Sequence, residues 1–309
     1  MKKPTDNIRV IDTLADYARL CGHPAPAHPL VTLLDLKKTR ERMAGEPPRP
    51  FEPIVQNLYS IAVKRGLKGT IYYGRRTHDF SSGVLTFMAP GQMFSVDKNL
   101  DISEMAGWSL LFHPDLLYSY PLGRKIAEYG FFHYDTTEAL HLSAEEEAIL
   151  DDVLRGIERE YLRPIDSFSQ DVIVSQLEVL LTYADRFYHR QFVTRAKVPH
   201  DLLSRFESQL RAHMVGEDGH PVPTVGVLAG ELGVTPAYLS DMLRSLTGLT
   251  TQQHIHQAVI EKAKGMLLSS SRTVAETAYA LGFEYPQYFS RLFRQKTGIS
   301  PTEFRRQSN

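Results

Sequence analysis

Scarcity sets the first limits on this chain. Among 309 residues there is one cysteine, Cys21, so no internal disulfide forms, which fits a reducing cytoplasm. No stretch approaches about 18 uncharged apolar residues, so no membrane span is expected. The start of the chain has a basic tip but no continuous apolar run, so it does not read as a signal peptide. Net charge is also scarce. With 35 Lys and Arg against 36 Asp and Glu, the formal charge is −1, and no global field draws the chain to nucleic acid. There is no P-loop, no Gly-rich dinucleotide turn and no nucleophile motif. Enzymatic activity and a bound cofactor are therefore not expected.

What the chain does have is one pattern written twice. Thr224-Val225, Ala229 and Leu232-Gly233 recur as Thr273-Val274, Ala278 and Leu281-Gly282. One residue further out of step, Pro236, Tyr238, Ser240, Arg244 and Thr247-Gly248 recur as Pro286, Tyr288, Ser290, Arg294 and Thr297-Gly298. The extra residue falls where a turn meets the start of a helix, where chains tolerate insertion. Two copies are too few for a solenoid and suit a pair of modules side by side.

Each copy reads as helix-turn-helix. In the second, Thr273 sits at an N-cap, Val274, Ala278 and Leu281 follow at helical spacing, and Gly282 ends the helix. A second helix runs from about Tyr285 to Lys296, with Phe289, Leu292 and Phe293 inward, and Gly298 stops it. A short helix, a tight turn with Gly and a second helix is the unit that reads a DNA major groove. Between the copies, residues 251–269 predict a helix with Ile255, Val259, Ile260, Ala263, Met266 and Leu267 inward. At about 1.5 Å per residue it spans about 28 Å, near the roughly 34 Å between successive major grooves on one face of B-DNA. From Ser240 to Asn309, nine Lys and Arg stand against five Asp and Glu, a modest local excess of positive charge.

The N-terminal part has a different texture. Residues 1 to about 22 show helical spacing, and the prolines at 24, 26 and 29 break it. Short β runs follow at 31–36, 54–63, 70–73, 84–89, 93–96 and 108–112, the texture of a sandwich or barrel. Glu46–Pro50 is an expected loop. Then come helices: a short one at 122–129, one opened by a capping box of Ser143 and Glu146, and one opened by Ser167 and Gln170. Residues 193–199 predict a linker, and residues 200–215 another amphipathic helix.

On the phrases Glu261-Lys262-Ala263-Lys264, Leu281-Gly282-Phe283, Tyr288-Phe289-Ser290-Arg291-Leu292-Phe293-Arg294 and Gly298-Ile299-Ser300-Pro301, the C-terminal part resembles the AraC/XylS family of transcription regulators. On Tyr72-Tyr73-Gly74-Arg75-Arg76, Ala89-Pro90-Gly91-Gln92, Gly107-Trp108-Ser109-Leu110-Leu111-Phe112-His113-Pro114-Asp115 and Glu138-Ala139-Leu140-His141-Leu142-Ser143, the N-terminal part is similar to the cupin-like regulatory half of many members. This resemblance implies an α+β protein. Residues 1–195 would form a cupin-like β-barrel for regulation, ligand binding and dimerisation, flanked by helices within 143–192. Residues 196–309 would form an all-α DNA-binding domain of about seven helices. It further implies an activator on double-stranded promoter DNA, a partnership with RNA polymerase, a small-molecule effector, a homodimer and a cytoplasmic location. The alternatives are a ligand-independent dimeric regulator with a structural barrel, and a metal-dependent cupin enzyme fused to a DNA-binding tail. Metal-dependent cupins share a His-x-His motif with a following Glu, which the barrel region lacks. His78 and Asp79 adjoin but point to opposite faces of a strand, while His254 and His256 cannot converge on one ion. No metal site is expected.

On the second recognition helix the solvent-facing candidates are Pro286, Gln287, Ser290, Arg291 and Arg294, since Gln pairs bidentately with adenine and Arg with guanine. The competing expectation for Arg291 is an ion pair with Glu284. The first recognition helix offers Ser240, Asp241 and Arg244, and Arg305 is a candidate phosphate contact. Tyr238 and Tyr288 are expected to bridge to the backbone or core. The helix N-termini at Thr224 and Thr273 are expected to attract phosphate. In the barrel, Tyr59, Tyr72, Phe87, Phe94 and Trp108 are the candidates for holding an apolar ligand, with plain core packing as the competing expectation. The resulting expectation is that Arg291→Ala costs about 1–3 kcal/mol and relaxes sequence preference, while Arg305→Ala weakens all sequences alike. Affinities on specific and random duplexes test both.

Overall fold

The computed structural model describes residues 9–43, 53–66, 71–73, 83–96, 101–134, 138–194, 197–215, 221–269 and 272–308. The expected Glu46–Pro50 loop, the His78-Asp79 pair and the side chain of Tyr72 lie outside the described residues. The chain divides into two compact units, Met1–Gln191 and Phe192–Asn309.

In the N-terminal unit the order is β1 (Arg9–Ile11), α1 (Leu14–Leu20), β2 (Val31–Asp35), α2 (Leu36–Met43), β3 (Ile54–Gln56), β4 (Tyr59–Arg65), β5 (Ile71–Tyr73), β6 (Val84–Met88), β7 (Gln92–Val96), β8 (Ala106–Phe112), α3 (Leu122–Lys125), β9 (Leu140–His141), α4 (Ala144–Tyr161) and α5 (Ser169–Thr194). The helix expected over residues 1–22 is shorter. Arg9–Ile11 pairs in parallel with β3, and the Thr13 side chain caps a helix that opens only at Leu14. Ser143 and Glu146 form the expected reciprocal capping box. The second expected box does not form. Asp166 accepts the Phe168 and Ser169 N–H groups, and the Gln170 side chain instead donates to the Leu116 carbonyl at 2.8 Å.

The expected barrel is not closed. Among the described residues the strands form two sheets, in the orders β1-β3-β7-β5 and β2-β8-β4-β6-β9, and no strand pairs across from one to the other. Between them lies a core of Ile11, Leu14, Leu34, Ile54, Leu58 and Leu111, with Phe94 packed against it. Opposed residues in an antiparallel pair share a face, and that face alternates along each strand. Leu111 faces the inner layer, so its neighbour Phe112, with its partner Tyr59, faces the opposite side. Ile61, paired with Phe87 and Leu110, lies on that same outer side, as do Val63 and Trp108. This side is covered by α4, α5 and a short 3-10 segment at Gly130–His133. The Tyr59 ring stacks on Phe112 at 5.0 Å, Phe87 meets Phe131 at 4.4 Å, and the Trp108 indole N–H donates to Asp151 at 3.0 Å.

The C-terminal unit holds α6 (Lys197–Val215), α7 (Val225–Leu232), α8 (Pro236–Thr247), α9 (Thr251–Ser269), α10 (Val274–Ala280), α11 (Pro286–Thr297) and α12 (Pro301–Ser308). The expected linker over 193–199 is much shorter, since α5 runs to Thr194 and α6 opens at Lys197. Gly233 and Gly282 end the first helix of each module at φ 75° and 82°, where a Cβ would be strained. α9 packs against α6, α8, α10, α11 and α12.

Gly107 in the N-terminal unit leaves no room for a side chain. Gly107 lies in β8 at φ 108°, and a Cβ there would sit 2.0 Å from the Val63 carbonyl oxygen on the neighbouring strand. Gly107→Ala therefore demands both a disfavoured backbone conformation and a separation of β4 from β8. We expect it to destabilise the N-terminal unit by at least about 3 kcal/mol, checked by denaturant unfolding against the wild-type chain.

Candidate nucleic-acid interface

The two modules are built alike and capped differently. α8 opens with the Thr235 hydroxyl accepting the Tyr238 N–H, and α11 opens at Tyr285 with no side-chain cap. The extra residue of the second copy thus lies in the turn. Phe289 and Phe293 are fully buried in a core with Ile260, Ala263, Leu267, Ala278 and Leu281, and this fixes which side of α11 meets solvent. Gln287, Arg291 and Arg294 lie on the exposed side, with Pro286 and Ser290 half-buried at its edge.

Arg291 makes no ion pair with Glu284 among the described residues. Its guanidinium instead lies over the Tyr288 ring, 5.4 Å from the centroid. Tyr288 is 53% exposed, not bridged into the core as expected. Tyr285 stands edge-on to it at 5.8 Å. Sequence reasoning missed this pair as part of the surface. The signal was available in the helical phase, because Phe289 and Phe293 set a buried side that Tyr288 lies well off.

Four of the five acids of this region are engaged, and Glu284, exposed just before α11, has no partner among the described residues. Glu276 closes a capping box on Thr273, whose N–H and hydroxyl hold its carboxyl below the usual carboxylate range, with Arg272 assisting. Glu303 is held down in the same way by Ser300, with help from Arg294 and Arg306. Glu261 pairs with Lys264 at 2.8 Å and Asp241 with Arg244 at 3.7 Å. Arg291, Arg294, Lys296 and Arg306 form no ion pair among the described residues, although Glu303 is near enough to feel Arg294 and Arg306, so the positive charge of α11 is only partly offset. The capping box also corrects one expectation. The carboxylate of Glu276 already occupies the N-terminus of α10, so a phosphate at Thr273 would meet like charge.

The first module is less open. The Ser240 hydroxyl bonds to that of Thr251 at 3.0 Å, and Arg244 shares its charge with Asp241. Tyr238 packs edge-on against Phe192 of the same unit. Arg305 is placed differently from the expectation as well. Its Nε donates to the Leu267 carbonyl at 3.0 Å, and one terminal nitrogen is buried without a partner among the described residues. It ties α12 to the last turn of α9 and does not present a free cation.

The residues expected to line one ligand cavity are not brought together. Phe94 lies with the inner layer, whereas Tyr59, Phe87 and Trp108 lie on the outer, helix-covered side of the other sheet. The register rules out a shared cavity inside a barrel. Among the described residues no three His, Cys, Asp or Glu side chains gather in a way that would hold a metal ion. Burial pushes the Cys21 thiol up to about 11, so it is poorly ionised at neutral pH.

Residues 228–307 match the family model of a helix-turn-helix domain. The chain is 35% identical over 82 residues to an uncharacterized HTH-type transcriptional regulator in the cgkA 5′ region of Pseudoalteromonas carrageenovora, spanning 26% of this chain and 48% of that one. It is 38% identical over 69 residues to the HTH-type transcriptional activator RhaR of Cronobacter sakazakii, spanning 22% of this chain and 24% of RhaR. Thus the match covers less than half the length of these relatives. Among solved structures, the DNA-binding domain of AdpA, the global transcriptional factor, in complex with a target DNA, is 25% identical; the match covers 34% of this chain and 88% of that one at a TM-score of 0.30.

Arg305→Ala is now expected to act on folding. It removes a charged hydrogen bond between α12 and α9, at a cost on the order of 2 kcal/mol. Chemical denaturation should register this loss, with affinity for DNA at low temperature nearly unchanged.

Proposed function

The chain belongs to the AraC/XylS family through its C-terminal double helix-turn-helix domain, and on that premise we propose that it is a sequence-specific regulator of transcription acting on double-stranded promoter DNA. α11 enters one major groove and reads base edges with Gln287 and Arg291, while Arg294 meets phosphate or base. α8 lies over the adjacent groove and positions the domain more than it reads. The observation that carries this is the exposed side of α11, where Arg291 and Arg294 form no ion pair among the described residues while Glu276 and Glu303 are engaged as helix caps. The stacking of Arg291 on Tyr288 supports the reading further, because it holds the guanidinium before DNA arrives and lowers the ordering cost.

Activation, contact with RNA polymerase, a cupin-like N-terminal fold and a cytoplasmic location are proposed from the family resemblance. A homodimer is supported by an exposed apolar stripe on and just before α5, where Phe168 is 68%, Val172 40% and Val179 43% exposed. A second reading, a regulator whose N-terminal unit is purely structural, is favoured by the outer-face packing of Phe87 and Trp108. It competes only over the effector and leaves the DNA reading unchanged.

Selection of duplexes from a random library by the full chain supplies the test. We expect Arg291→Ala to lose about 1–3 kcal/mol on the selected site and little on random DNA. Arg294→Ala should flatten the dependence of log affinity on log salt by about one phosphate contact. No enrichment from the library, or equal losses on selected and random DNA for Arg291→Ala, would contradict the assignment.

A further inference from the structure

The N-terminal unit has a cleft that neither the expected barrel interior nor the DNA surface accounts for. Its volume is about 570 Å³, within the range of small-molecule sites, and it lies on the outer face of the five-stranded sheet. Tyr59 forms one wall. Its ring is held between Phe112, stacked at 5.0 Å, and Phe132, edge-on at 5.3 Å. Its hydroxyl has no hydrogen-bond partner among the described residues. The opposite wall is the chain turn from Pro114 to Ile126, with Leu117 and Ile126 at its base and Tyr118 and Tyr120 at its mouth. Gly123 brings α3 so close to the 3-10 turn before it that a Cβ would lie 2.5 Å from the Leu117 carbonyl oxygen.

Charge in the cleft is of one kind. Arg124 lines it, exposed, and has no acidic partner among the described residues. Of the nearby acids, Asp171 accepts from the Tyr120 hydroxyl and Glu178 pairs with Lys125 at 3.0 Å, while Asp115, 3.4 Å from the His113 ring, and the exposed Glu128 do not line the cleft. A fork of guanidinium donors without a partner matches a carboxylate, and a rigid tyrosine wall with apolar residues at its base matches a flat ring.

From this geometry we propose that the cleft binds a small aromatic monocarboxylate, with Arg124 on the carboxylate and Tyr59 on the ring and any polar ring substituent. The wall opposite Tyr59 is pinned to α5 by Tyr120 on Asp171, Lys125 on Glu178 and Gln170 on the Leu116 carbonyl. An occupant therefore presses on the helix that carries the exposed apolar stripe. Its use as an effector rests on the regulator reading given above, but the binding itself does not.

Calorimetric titration of the full chain, without DNA, separates the two. The probes are benzoate, phenylacetate and 4-hydroxybenzoate, with benzyl alcohol as the neutral comparison. We expect at least one carboxylate to bind with one-to-one stoichiometry and more tightly than benzyl alcohol. Arg124→Gln, at an exposed position that folding does not require, should weaken it at least tenfold and leave benzyl alcohol unchanged. Tyr59→Phe should weaken 4-hydroxybenzoate more than benzoate. Failure of all three carboxylates to bind, or equal binding to Arg124→Gln and wild type, overturns the proposal. Because no DNA is present, either result leaves the DNA assignment where it stood.

Discussion

The burial of α9 is the interaction on which the C-terminal unit depends. Ile255, Val259, Ile260, Ala263 and Leu267 are all nearly inaccessible, and they face five other helices in turn. Each helix-turn-helix module is too small to bury its own apolar face. Each borrows part of its core from this shared helix, α8 at one end and α10 to α12 at the other. Ala263 and Ala278 are fully buried, which lets α9 and α10 approach closely. Truncating a residue such as Phe289 in this core would cost about 3–5 kcal/mol, against a typical domain stability of about 5–15 kcal/mol. The same packing sets the separation of the two recognition helices, so stability and the spacing of the DNA surface have one origin.

Electrostatics then decides which surface faces the polyanion. The chain as a whole is nearly neutral, and its C-terminal stretch holds only a modest excess of positive charge. What matters is where the acids go. Of the five, two close helix N-termini, where the helix dipole favours them, two are paired with a cation three residues away, and Glu284 is left exposed before α11. The arginines of α11 form no ion pair among the described residues as a result. α8 does not, because Asp241 sits one turn before Arg244. An almost perfect repeat in sequence therefore gives two electrostatically unequal helices.

Much of the C-terminal unit was legible in the sequence, because its signals are local. Gly233 and Gly282 mark helix ends that only a left-handed residue fits, and the spacing of Phe289 and Phe293 fixes the buried side of α11. The misses there are long-range or depend on what a side chain chooses. Arg305 turns inward because the last turn of α9 offers a carbonyl to it, 38 residues away in the chain. The N-terminal unit was less legible. Short β runs announce strands, but which side of a strand meets the other sheet depends on register, and a shift of one residue reverses every side chain. The strand pattern alone thus points Tyr59, Phe87 and Trp108 into a barrel interior, whereas they lie on the helix-covered face. Arg9–Ile11 joins a sheet through a partner more than 40 residues away, which no local pattern encodes.

On the proposed reading, α9 holds the two helices at the spacing of successive major grooves, with α11 as the principal reader. Hydroxyl-radical footprinting of the full chain on its selected duplex tests this most directly. Two protected patches on one face of the DNA, about 10 base pairs apart, with the stronger protection at one of them, are the predicted result. A single patch of one half-site, or two patches on opposite faces of the duplex, would contradict it.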